Sequence, residues 1–281
     1  MKKQMKKSQT KDTVITAVIW LCALLTVGSL LWLVIYITAK GLSHISLSFL
    51  FSEYKGDKHG ILPMILSTCY IVLLSLIISA PLGIGTAIYL AEFAKPGRIL
   101  QIIRFATETL AGIPSIIYGL FGFIFFVNVL KFNFSLLSGA LTLSIMVLPV
   151  IIRTTEETLK AVPLSYREGS LALGATKIQT IRRIILPSAI PGILTAVILS
   201  TGRIVGETAA VYLTAGMVTR FATSVMDSGR TLAVHLYMLA KDGLSFEQAF
   251  ATATALIVTV ALINLLMTKT VGKLQRTVSK R

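Results

Sequence analysis

Six apolar stretches, each long enough or nearly long enough to cross a bilayer as a helix, constrain this chain more than any other feature. A helix rises about 1.5 Å per residue, so about 20 mostly apolar residues cover roughly 30 Å of hydrocarbon. The stretches are residues 14–37, 62–90, 113–130, 136–152, 184–205 and 249–267, and the fifth can run on through Ala209 to Leu213. The second is long enough to tilt, and Pro81 and Gly83 are expected to bend it; Pro114 stands well at the start of the third. Of the 281 residues 54% are hydrophobic and 14% charged, where a soluble domain carries about 25% charged. The expected fold class is therefore an all-α integral membrane protein with six transmembrane helices. Lipid-exposed strands are excluded, because each unpaired backbone group in hydrocarbon costs several kcal/mol. Five lysines before the first stretch look like the start of a signal peptide. The stretch is too long for one and lacks a small-x-small cleavage site, so it reads as an uncleaved span.

The net charge of +15 gives the orientation. Nineteen basic residues fall in the N-terminal tail, the 92–112 and 153–183 loops and the C-terminal tail; seven fall in the alternate loops, and Arg203 lies inside a span. Positive residues favour the cytoplasm, which predicts cytoplasmic termini and external 38–61, 131–135 and 206–247 loops. Basic residues grouped between spans are topology signals; a nucleic-acid partner would need a soluble basic face.

Covalent chemistry is not expected. Cys22 and Cys69 both lie in apolar runs, which excludes a disulfide framework. His44, His59 and His235 lack neighbours at ligand spacing, so neither a metal nor another cofactor is expected. No Walker-type glycine loop or nucleophile motif appears, so the chain reads as a non-catalytic subunit.

The segment from Val162 to Lys177 predicts a helix, a tight turn and a second helix. Ser165 with Glu168 three residues later has the pattern of a capping box. Gly174 suits a left-handed helix end, and Thr176 can cap the next helix. Pro187 and Pro191 mark where that helix would turn into the membrane. The product is a projecting elbow, small-residue-rich on its exposed side and shaped for a partner's groove; an amphipathic interfacial elbow is the alternative.

The run from Glu168 through Gly169, Ser170 and Gly174 to Ile185-Leu186-Pro187 resembles the EAA loop of ABC importer permeases, with Gly169 and Ser170 replacing the alanine pair. Gly60-Ile61-Leu62-Pro63, Pro81-Leu82-Gly83-Ile84-Gly85, Ala91-Glu92-Phe93, the run from Gly112 to Gly119 and the run from Gly202 to Thr208 are similar to the phosphate-specific importer's permease. The details favour a PstA-type subunit over a PstC-type one, although Gly202-Arg203 is somewhat partner-like. The resemblance covers about residues 60–270 and implies a type I ABC importer permease fold. It also implies a homologous PstC-type permease, a PstB-type ATPase dimer and an extracytoplasmic phosphate-binding protein of PstS type as partners. Glu168, Gly169, Ser170, Gly174, Leu186 and Pro187 would then couple to the ATPase. The rivals are a permease for molybdate, tungstate or sulfate, and a non-transporting phosphate-sensing scaffold.

An arginine within a span costs about 2.5–3.5 kcal/mol on insertion scales and marks a functional candidate. Twelve residues past Pro191, Arg203 would lie about 18 Å along the helix, beyond the midplane. Glu207, four residues on, is expected to hold its guanidinium, and Gly202 and Gly206 to admit a neighbouring helix. Two roles stay open: a buried ion pair that fixes packing, or a surface for a passing oxyanion, matched by the guanidinium fork. The resemblance places the pair in the translocation region. Ser115 is the third pathway candidate, at a helix start whose free amides could face an anion, or it is an ordinary first residue.

Glu92, Lys95, Arg98, Arg104 and Glu108 read as solvated or at headgroup level, with ATPase docking by Glu92 and Arg104 as the alternative. Arg153 and Glu157 are spaced for a pair on an extension of the fourth span. Outside, Glu53, Asp57, Asp227, Asp242 and Glu247 could meet a binding protein. The expected organisation is a 1–13 tail, a first span with its loop over 14–61, a permease core over 62–268 containing the coupling loop 162–187, and a 269–281 tail that meets anionic headgroups of the bilayer.

Overall fold

The computed structural model describes residues 2–55, 58–243 and 245–278, with side chains over 12–54, 60–243 and 245–269. Expectations for Asp57, for Lys280 and Arg281, and for the side chains of the first eleven residues, Lys273 and Arg276 lie outside the described residues. Among those described, regular structure is helical apart from a two-residue hairpin, β1 (Tyr54–Lys55) against β2 (Lys58–His59).

Helix α1 (Lys2–Leu42) is followed by the short α2 (Leu47–Phe51) and then α3 (Leu62–Ile88), which passes unbroken through Pro81 and ends in a π-helical turn, Tyr89–Phe93. Next come α4 (Arg98–Ala111) and α5 (Ser115–Gly122), the latter continued as a π-helix over Phe123–Val129. Helix α6 (Leu136–Ala161) leads into α7 (Leu164–Ala172) and α8 (Lys177–Thr180). A π-turn over Ile181–Ile185 joins α8 to α9 (Leu186–Gly206), followed by α10 (Ala209–Thr214), α11 (Leu232–Lys241) and α12 (Phe246–Val278). Five helical segments are long and apolar enough to span; the bent pair α4 and α5, which meet at 100°, makes up to six.

The fourth span runs nine residues beyond Ile152 as the expected extension, and Arg153 and Glu157 form the expected ion pair one turn apart, at 3.0 Å. Two other features differ from expectation. The 92–112 loop contains a helix, α4, set across the direction of α5. The 206–247 segment is not a plain external loop: α10 and α11 pack into the bundle and bury Val211, Leu232, Val234 and Leu239. Polar capping explains that infolding. Residues 225–227 give backbone carbonyls to the orphan amides of α6, with Leu136 N to Asp227 O at 2.9 Å and Leu137 N to Val225 O at 2.9 Å.

Helix α6 is the axis of the bundle, with α3 and α9 on it. Lipid tails are as apolar as leucine, so close packing and interhelical hydrogen bonds hold the helices, the latter worth about 0.6 kcal/mol each. Ser144 Oγ donates to Ser75 O at 3.1 Å and Ser75 Oγ to Ala140 O at 3.2 Å, tying α3 to α6. At the end that carries α7 and α8, residues Ala87, Leu159, Val162, Ile181, Ile185 and Ala189 form a second buried cluster that joins α3, α6 and the α8–α9 rod.

Candidate functional site: a projecting hairpin and a broken helix

Helix α6 stops at Val162 because the residue before a proline is pushed out of the α region; its ψ is 125°. Pro163, at ψ 139°, takes the N-cap place, so α7 starts at Leu164 and Ser165 falls inside it. The expected box of Ser165 and Glu168 is therefore not formed. It forms instead at the next helix start, where Gln179 N donates to Thr176 Oγ1 at 3.3 Å and Thr176 N to Gln179 Oε1 at 2.9 Å. Between the helices Gly174 has φ +82°, the left-handed end expected of it.

The two arms are sewn together by a buried contact of 2.9 Å between the Ser170 and Thr180 hydroxyls. Glu168 and Gly169 face out, whereas Leu186 packs with the second cluster. The exposed side carries the expected small residues Gly169, Ala172 and Gly174, and bulky apolar groups besides: Leu173 at the tip is 90% exposed, with Leu164, Leu171 and Ile178 beside it. Nor does the second arm turn at Pro187 or Pro191. Lys177–Gly206 is one helical run of 30 residues. The π-turn before Pro187, closed by Leu186 N to Ile181 O, widens the backbone where the proline rings would crowd an α-helix.

Charged groups thought to be solvated hold this hairpin. Arg167 Nη1 lies 2.7 Å from Glu92 Oε1, whose side chain is 5% exposed, and Arg167 Nη2 donates to Leu159 O at 2.8 Å. Arg104 and Lys160 each place a nitrogen 2.6 Å from Glu156 Oε1, fastening α4 to α6. Around Glu156 lies a cavity of about 190 Å³ lined by Arg104, Glu108, Arg153 and Glu157 among others. The sequence carries no signal for the pairing of Arg167 with Glu92, since they stand 75 positions apart.

The second site is where α9 ends. Glu207 leaves the helix at ψ 125°, so the span does not continue to Leu213; after Thr208 the chain starts again as α10. Glu207 Oε1 accepts from Ala210 N at 3.3 Å, capping α10. The expected pair with Arg203 is absent among the described residues, because the break takes Glu207 off the helical face that i,i+4 spacing assumes. Arg203 is half-buried in the last turn of α9, where a cation suits the helix dipole.

Helix α5 crosses this break: a β-carbon on Gly119 would lie 2.9 Å from Ala210 Cα. Ser115, one turn earlier, begins α5 half-buried, and the first bond into the helix is donated by Ile117 to Pro114 O. Tyr118, which sequence reasoning passed over, is buried within electrostatic reach of Arg203 and donates to Leu110 O at 2.7 Å. Beside Arg203, a β-carbon on Gly202 or Gly206 would meet nothing within 4 Å, so no helix among the described residues packs closely against them. The structure thus packs α10, just past the break, on α5 at Gly119 and brings Arg203 within electrostatic reach of Tyr118, with Arg203 and Glu207 in separate roles.

A helical membrane bundle with a projecting hairpin has the fold of ABC importer permeases. A bacterial ABC transporter involved in the import of the acidic polysaccharide alginate aligns with TM-score 0.61 at 15% identity, over 92% of this chain and 96% of that one. The inward-facing MetNI methionine ABC transporter aligns with TM-score 0.55 at 19% identity, over 78% and 94%. The family described as "binding-protein-dependent transport system inner membrane component" matches residues 79–280, and the chain belongs to it. Among relatives, the probable ABC transporter permease protein YqgI of Bacillus subtilis is 32% identical over 90% of this chain and 92% of its own length. The phosphate transport system permease protein PstA of Mycobacterium leprae is 31% identical over 92% and 88%. PstA 1 of Mycobacterium tuberculosis is 38% identical over 67% and 63%.

Proposed function

We propose that this chain is the PstA-type permease subunit of an ATP-driven importer of inorganic phosphate, contributing half of the pathway and no covalent chemistry. It pairs with a PstC-type permease, docks by the α7–α8 hairpin on a PstB-type ATPase dimer and receives phosphate from a PstS-type binding protein. Both termini are cytoplasmic. The observation that carries the substrate class is Arg203, a half-buried guanidinium with no carboxylate partner among the described residues, set at a helix break within electrostatic reach of Tyr118 on α5. A guanidinium offers a tetrahedral oxyanion two parallel donors. The amides at Ser115 add partial positive charge, while Glu207, capping α10 nearby, limits how tightly an anion is held.

Coupling follows from the continuity of the second arm. Lys177–Gly206 is a rod of about 45 Å at helical rise, reaching from the hairpin to Arg203. When the ATPases close, a push on the apolar tip moves the hairpin, the rod carries it, and the pore alternates its access. Glu168, Gly169, Gly174 and Leu173 face the ATPase, while Ser170, Leu186 and Pro187 join the hairpin to the rod. The test is reconstitution of the transporter, with labelled phosphate uptake measured in competition with sulfate and molybdate. Competition by sulfate or molybdate at equal concentration would reassign the oxyanion, and uptake that persists without this chain would reduce it to a scaffold.

A further inference from the structure

The hairpin is covalently continuous with α9, yet both of its arms also grip the inner end of α3. From the first arm, Arg167 reaches the buried Glu92 at 2.7 Å. From the second, Lys177 Nζ lies 5.1 Å from the centre of the Phe93 ring. Glu92 and Phe93 are neighbours in the π-turn that ends α3, a wide turn that often marks functional positions in helices. Ser170 and Thr180 lock the arms together between these contacts, so the hairpin is a rigid body with two grips on one helix end.

The Arg167 contact is short but poorly directed. Glu92 Oε1 accepts no well-aligned hydrogen bond although the guanidinium is near, while the other Arg167 nitrogen is committed to Leu159 O. Attraction between charges survives small rotations that a directed hydrogen bond does not, particularly where water is scarce. Such a contact can transmit displacement and still pivot.

We propose that Glu92 is a positioning residue for transport: through Arg167 it receives the hairpin's movement, so that α3 and α9 shift together at each ATPase closure. This rests on the coupling role given to the hairpin above. Helices α3 and α9 also pack on each other, so a displacement of α9 alone would shear it past α3, whereas a joint displacement keeps that contact.

The test uses the whole transporter co-purified through this chain and placed in proteoliposomes, with labelled phosphate uptake and ATP hydrolysis measured together. Glu92→Gln is expected to lower uptake per ATP at least fivefold at unchanged abundance. Spin labels at positions 95 and 172 should keep a fixed separation between nucleotide-free and ATP-trapped states in the wild type and spread in the variant. Should Glu92→Gln fail to assemble, Arg167→Gln, altered at a partly exposed side chain, is expected to give the same loss. Uptake per ATP within twofold of wild type in the assembled variant, or an unchanged label separation, would overturn the proposal. Reduced abundance with normal uptake per ATP would overturn it too, leaving a packing contact. Leu173→Asp separates the two ideas: if it leaves ATPase binding and uptake intact, the hairpin's coupling role fails irrespective of Glu92.

Discussion

Gly83 of α3 and Ile151 of α6 meet so closely that a β-carbon on residue 83 would lie 2.7 Å from Ile151 Cγ2. Ile151 is fully buried and β-branched, with little freedom to turn aside. Gly83→Val should therefore overpack the contact and cost about 1–3 kcal/mol. Ile151→Ala in the same chain should recover part of it. Thermal midpoints of the purified variants check this; a Gly83→Val midpoint equal to wild type refutes the contact.

Gly174→Val places a β-branched residue at φ +82°, which such residues rarely adopt. A β-carbon there has open space around it, so the effect is confined to the backbone. The expected result is an inserted chain whose hairpin splays, with uptake and ATPase co-purification falling together. Normal values of both would show that the turn tolerates another conformation.

Arg203 and Glu207 act separately in this structure, which changes what their variants should do. Arg203→Gln leaves no orphaned partner and should assemble normally while transporting poorly, and Arg203→Lys should be impaired because its fork geometry is lost. Glu207→Gln keeps an oxygen for Ala210 N, so it should leave stability nearly unchanged while the anion is held more tightly and released more slowly, whereas Glu207→Leu should also lose about 0.5–2 kcal/mol of capping. Uptake at matched membrane abundance decides; near-normal uptake by Arg203→Gln would return that residue to a structural role.

Asp227 organises the segment that caps α6. The Thr223 hydroxyl, and then the amides of Thr223 and Ser224, hold its carboxyl below the usual carboxylate range. For a lowered pKa the stabilising contribution is present above the unfolded value, about 3.9, and disappears as pH falls through the lower folded value. Protection factors of the 223 and 224 amides, with each exchange rate referred to the intrinsic rate at that pH, should thus be constant from about pH 8 to 5 and fall only below about pH 4. A fall beginning near pH 6 would assign the turn to another group.

Orientation can be checked by thiol labelling. A cysteine at the exposed Lys241 should react with an impermeant reagent from outside, and one at the exposed Lys177 only from inside. Outside labelling of position 177 in sealed cells would invert the chain.

Span number, helical class, the hairpin and its left-handed glycine were legible in the sequence, because each depends on local quantities: apolar length, charge between runs, and the backbone preference of Gly174 and Thr176. Local reasoning misplaced one cap, since Pro163 starts α7 before Ser165 can serve, and it extended the fifth span through a break at Glu207. Which charges are buried was decided only by tertiary structure. Glu92 and Arg104 look like ordinary interfacial charges along the chain, and only the packing of α3, α4, α6 and the hairpin brings each to an opposite charge, whereas Glu156 has Lys160 one turn on in its own helix. The infolding of 206–247 belongs to the same class, because the amides that capture residues 225–227 are on α6, almost ninety positions earlier. Periodicity and propensity act over a few residues, whereas ion pairing and capping act through space.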